Sequence, residues 1–131
     1  MKTANKKIDR VDSLIDHLWQ HGYLTLSRKY GKYLPAPTPI GNYEVDAVAK
    51  YKKKIALGLT LTAEDLDDPN LITKLIALSN SKLKLSASKV TLFIGVPNEL
   101  LIKAHLILSS LDDAISSQIK IVTLPGGKSL S

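Results

Sequence analysis

The residues best suited to chemistry lie in one short stretch, Gly41-Asn42-Tyr43-Glu44-Val45-Asp46-Ala47-Val48-Ala49, which a lysine-rich turn joins to Ile55-Ala56-Leu57-Gly58-Leu59-Thr60-Leu61. Read as a strand, the first segment places Glu44, Asp46 and Val48 on one face and Tyr43, Val45 and Ala47 on the other, because strand side chains alternate. A turn near Lys52 then sets Asp46 opposite Gly58, with about 4.5–5.5 Å between facing Cβ positions. A carboxylate at 58 could share a divalent cation with Asp46, whereas glycine supplies no ligand.

The elements that must hold this hairpin follow from periodicity. Ile8, Val11, Leu14, Ile15, Leu18 and Trp19 recur at three- and four-residue steps and predict a helix with one apolar stripe, on which Trp19 is expected to anchor the core. Gly22 ends it, Leu24 to Arg28 reads as a strand, and Pro35, Pro37 and Pro39 mark an extended, exposed loop. Beyond the hairpin, Asp68-Pro69 predicts a helix start, with Leu71, Ile72, Leu75, Ile76 and Leu78 on its buried side. Ser79 to Lys89 is polar and reads as a loop. Val90 to Val96 has the continuous apolar character of a strand covered on both faces, Glu99 to Ile115 predicts one helix, and Ile119 to Leu124 a last strand. The predicted class is α/β, a mixed sheet flanked by helices.

This order resembles the PD-(D/E)XK, or restriction-endonuclease-like, superfamily, and within it the small endonucleases related to Holliday-junction resolvases. Asp16 to Tyr23 is similar to that family's helix end, Leu24 to Arg28 to its first strand, and Gly41 to Ala49 to its acidic strand, over about positions 9 to 124. The resemblance implies a restriction-endonuclease-like core of order αβββαβαβ, in which Asp46 takes the place of the metal-binding aspartate. Gly58 and Thr60 fall where the family carries its second carboxylate and its lysine, and Val11, beside Asp12, falls on its helical glutamate. Metal-dependent phosphodiester hydrolysis needs hard oxygen ligands for the ion and a charged group to orient water and offset developing charge. The resemblance therefore implies a nuclease fold with a degenerate centre, for which no cofactor is expected.

The alternative is an active enzyme using Mg or Mn on Asp46 and Glu44, with Glu64 as a migrated carboxylate and one of Lys52, Lys53 and Lys54 as a displaced lysine. Those lysines stand about 12 Å or more from position 58 by strand rise, which weighs against them. A protein-interaction scaffold is a further alternative. If the alignment holds, Gly58→Glu with Thr60→Lys is expected to strengthen divalent-ion binding.

The 131 residues are enough for one domain, expected over 8–124, with 1–7 a disordered basic tail and 125–131 frayed. Eighteen basic side chains against twelve acidic ones give a net charge of +6, which favours an acidic partner such as DNA or RNA. Arg28, Lys29, Lys32, Lys52, Lys53 and Lys54, with the N-terminal lysines, are the candidate phosphate contacts. Aromatic residues make up only 5% of the chain, which argues against a stacking platform for single strands. Absent cysteine removes disulfides, thiol nucleophiles and cysteine-bound zinc. With neither a signal-peptide core nor an apolar run of about 18 residues, a cytoplasmic protein without membrane contact is expected. Pro125-Gly126-Gly127-Lys128-Ser129 lacks the first glycine and the following helix of a phosphate-binding loop. His17 and His21 have a metal-ligand spacing without an accompanying framework, so a surface or boundary role is expected of them.

Overall fold

The computed structural model describes residues 2–81 and 90–124. Helix α1 (Lys2–Gln20) leads into β1 (Leu24–Arg28), β2 (Ala47–Tyr51) and β3 (Lys54–Thr60). Short α2 (Ala63–Asp67) and α3 (Leu71–Ser79) precede β4 (Thr91–Pro97). A single 3-10 turn, Asn98–Leu100, opens α4 (Leu101–Leu108), followed by α5 (Asp113–Ser116) and β5 (Ile119–Leu124). The five strands form one mixed sheet in the order β1-β2-β3-β4-β5. The β1–β2 and β2–β3 pairs are antiparallel, and β3–β4 and β4–β5 are parallel.

Alternation along the strands divides the apolar side chains between two layers. Ala47, Ala49, Ala56 and Phe93 join Leu14 and Leu18 beneath α1. Leu57, Leu59, Leu92, Ile94 and Val96 pack on the other face with Leu71, Leu75 and Leu78 of α3 and Ala104 of α4. β3 and β4 are buried along almost their whole length, as their unbroken apolar runs require. None of the described helices is long and apolar enough to cross a membrane.

Several elements depart from the expected boundaries. α1 starts at Lys2, ahead of the apolar stripe. Trp19 is 65% exposed and not part of the core. The buried line of α1 runs through Val11, Leu14 and Leu18, and Trp19 lies roughly 100° around the helix from Leu18, past the stripe's edge. Asp68 does not cap α3, because Asn70 holds that position and donates its backbone N–H to the Asp68 carboxylate at 2.8 Å. The helix expected over Glu99 to Ile115 breaks after Leu108. There Ser109 and Ser110 turn their hydroxyls onto the carbonyls of Leu106 and Ile107, competing with helix continuation. Residues 82–89 and 125–131, which hold most of the expected polar loop and the Gly-Lys-Ser tail, lie outside the described residues.

Candidate functional site

The site is built where the β2–β3 hairpin opens toward the N-terminal half of α1. Tyr51 pairs with Lys54 across the two-residue turn Lys52-Lys53, and the ladder runs back to Ala47 opposite Gly58. Asp46 also donates its backbone N–H to the Gly58 carbonyl, at 2.8 Å. Two consecutive residues thus face one, which is the arrangement of a β-bulge. Its consequence is visible in the packing. Val45 and Val48 go to the α3/α4 face, while Ala47 turns beneath α1 and the Asp46 side chain meets Lys7 of α1. The regular alternation expected from Glu44 through Val48 is therefore broken at Asp46, and β2 begins only after it.

Asp46 is buried and its carboxylate is bonded on both oxygens' sides. Oδ2 accepts the backbone N–H of Thr60 at 2.7 Å and the Thr60 hydroxyl at 3.0 Å. Lys7 donates its ammonium to Thr60 Oγ1 at 2.7 Å and stands 3.6 Å from Asp46 Oδ2. From beyond β1, Lys29 Nζ lies 3.0 Å from Glu44 Oε1 and 3.5 Å from Asp46 Oδ1. One ammonium therefore stands between two carboxylates, where a bridging cation would have to bind.

Glycine at 58 is explained by α1. A Cβ built there meets Leu14 Cδ2 at 2.8 Å and the Ala47 Cβ at 3.4 Å. Position 58 thus looks to the same side of the sheet as Asp46, but Leu14, wholly buried, occupies the space into which a longer side chain would project.

Burial acts to lower the Lys29 pKa, but the hydrogen bond from its ammonium to Glu44 and the negative charges of Asp46 and Glu44 outweigh it and raise the value above its ordinary 10.5. The sign follows from linkage: a raised folded-state pKa contributes stability that is fully present below 10.5 and lost as pH climbs through the folded value. Glu44→Gln is expected to bring the Lys29 pKa down, as followed by NMR titration of its ε-methylene. The cost at neutral pH should be only about 0–1 kcal/mol, since Glu44 is exposed. An unchanged titration would show that Glu44 does not set it.

The other candidates are placed as follows. Arg28 Nη2 binds Asp12 Oδ1 at 2.5 Å, so its charge is matched. Lys32 is exposed on the loop after β1. Lys52, Lys53 and Lys54 are exposed at the far end of the hairpin, about 20 Å from Asp46 at 3.3 Å per strand residue. Arg28 and Lys29 therefore lie by the Asp46 end of the hairpin and Lys52, Lys53 and Lys54 at its other end. Glu64 is exposed in the first turn of α2, whereas the groups reaching Asp46 are Thr60, Lys7 and Lys29. α2 itself is explained by a capping box in which Thr62 and Asp65 bond each other's backbone N–H. His17 donates Nε2–H to the Thr123 carbonyl at 3.0 Å, tying α1 to β5, and His21 donates Nδ1–H to the His17 carbonyl at 2.7 Å. Both histidines are thereby used in structural bonds.

Lys7 is the site residue that the strand-based reading missed. Its signal was present, since Lys7, Val11, Leu14 and Leu18 fall at helical spacing on one face, and a lysine on an apolar stripe calls for an acceptor. Among the described residues, no three or more His, Cys, Asp or Glu side chains are grouped to hold a metal ion. Comparison with protein-family models, curated proteins and solved structures returned no match.

Proposed function

We propose that the chain is a nuclease-fold protein of the PD-(D/E)XK kind that binds the phosphate backbone of DNA or RNA without cleaving it. The observation that carries this reading is the position of Lys29 Nζ, within 3.0 Å of Glu44 and 3.5 Å of Asp46. In a hydrolytic centre a divalent ion offsets the acidic pair and activates water. Here Lys29 and Lys7 supply the first of these effects and not the second. An ammonium cancels the charge that would repel a phosphate but has no coordination site for a nucleophilic water. A dication would have to displace Lys29 and bind Asp46 with its Oδ2 already accepting two bonds from Thr60. The net charge of +6 supports an anionic partner.

Binding to DNA and RNA is expected to weaken linearly in log salt, with no cleavage in Mg or Mn. Salt-insensitive binding, or none, would remove the nucleic-acid reading in favour of a scaffold. Cleavage that disappears in Asp46→Asn would instead establish the migrated-site enzyme.

A further inference from the structure

The loop leaving β1 holds side chains that the acidic site does not use. Its ends are tied where the Arg28 N–H donates to the Pro35 carbonyl at 2.9 Å, and Arg28 Nε–H donates to the Lys29 carbonyl at 3.1 Å. Gly31 sits so close that a Cβ there would meet Arg28 Cγ at 3.0 Å and the Leu34 carbonyl at 3.1 Å. The segment is thus wrapped over the Arg28 side chain. Tyr30 adopts a left-handed backbone, φ 62°, which is costly for a residue with a Cβ.

The product of this folding is an exposed pair of aromatic rings. Tyr33 is 95% exposed and Tyr30 50%. Between the loop and α1 lies an open groove of about 410 Å³ whose walls include Ile8, Asp12, Arg28, Tyr30, Lys32 and Tyr33. That volume falls in the range of small-ligand clefts, about 300–1,000 Å³. Its carboxylate, Asp12, is matched by Arg28. Lys32 adds positive charge between the two rings in sequence.

We infer that this loop is a stacking site for unpaired bases, so that the preferred ligand is a single-stranded stretch of DNA or RNA. The inference rests on the phosphate-binding reading above and specifies the substrate class. Exposed rings and a positive charge lining one groove suit sequence-tolerant single-strand binding, because every base offers a π-face and every linkage a charge. The low aromatic content of the chain argues against an extended stacking platform, but the two rings that this site needs lie on one loop. A duplex buries its base faces and gains only the backbone contacts.

The test is fluorescence anisotropy with labelled oligothymidine, oligouridine and a blunt DNA duplex at several salt concentrations. The wild-type chain should bind either single strand more tightly than the duplex. Tyr33→Ala should weaken single-strand binding about tenfold, which is about 1.4 kcal/mol, with duplex binding little changed. Tyr33→Phe, which keeps the ring, should restore it. Tyr33 is almost wholly exposed, so folding is not at stake. Unchanged single-strand affinity in both Tyr33→Ala and the Tyr30→Ala/Tyr33→Ala double variant, with salt-sensitive binding intact, would overturn the stacking site alone. Equal loss on duplex and single strands would overturn it as well. Failure of the wild-type chain to bind any of the three would remove the phosphate-binding reading together with it.

Discussion

Gly58→Ala is expected to destabilise the protein by about 1–3 kcal/mol, and Gly58→Glu by more, as measured by denaturant unfolding. A Cβ at 58 meets Leu14 Cδ2 at 2.8 Å, inside any contact that packed carbons tolerate. Leu14 cannot step aside freely, because it is wholly buried among Leu18, Ala47, Ala56 and Phe93. Glutamate adds the burden of placing a carboxylate beneath a helix. Since small domains are stable by only about 5–15 kcal/mol, such a loss consumes a large part of the total.

Leu14 supplies the control. Leu14→Ala alone should cost about 2–5 kcal/mol through the cavity it leaves. Combined with Gly58→Ala it should cost clearly less than the sum, because the new methyl enters the vacated space. Strict additivity would mean that the two positions do not compete for one volume. The same geometry changes what is needed to rebuild a metal site here. Gly58→Glu with Thr60→Lys requires Leu14→Ala as a third change, and the incoming ion must still displace Lys29 from Asp46.

Where one interaction dominates, sequence and structure agree closely. β1 and β5 occupy the expected residues, Leu24–Arg28 and Ile119–Leu124, and the hairpin turns at Lys52-Lys53. Apolar runs and a short turn leave little choice there. The sheet is mixed and flanked by helices as expected, although α2 and the break after Leu108 add elements that apolar periodicity does not report. Those depend on local side-chain bonds, from Thr62 and Asp65 in one case and from Ser109 and Ser110 in the other. The site was legible only in part. Gly58 pairs with Ala47, one residue beyond the Asp46 that the strand reading sets opposite it; Asp46 reaches Gly58 through its backbone N–H, and the bulge there breaks the alternation that would put Glu44, Asp46 and Val48 on one face. Such a break leaves no trace in hydrophobic pattern. The contact of Lys7 with Thr60 spans 53 residues, and the facing of α1 onto the hairpin had to be known before it could be seen.

Asp46→Ala should lower stability by about 2–4 kcal/mol, although Asp46 lies in no hydrophobic cluster. Its carboxylate satisfies the Thr60 N–H and hydroxyl and stands beside two ammoniums at 3.5 and 3.6 Å. Removing it leaves a buried backbone donor unpaired and two lysines held together without their shared counter-charge. The lysines are each about 30% exposed, at 29% and 30%, so they relieve part of the repulsion by turning to solvent, which keeps the loss below that of a fully enclosed ion pair. Asp46→Asn separates the two contributions. Its amide oxygen can still accept from Thr60, so the loss should fall to about 1–2 kcal/mol and should shrink further with added salt, which screens the lysines from one another. Thr60→Val removes the hydroxyl alone, keeps the backbone donor, and should cost about 1 kcal/mol, leaving Lys7 with its ion pair to Asp46. An Asp46→Ala variant as stable as the wild-type chain would mean that this carboxylate is not holding α1, β1 and β3 together, and would reopen the case for an acid kept for its reactivity.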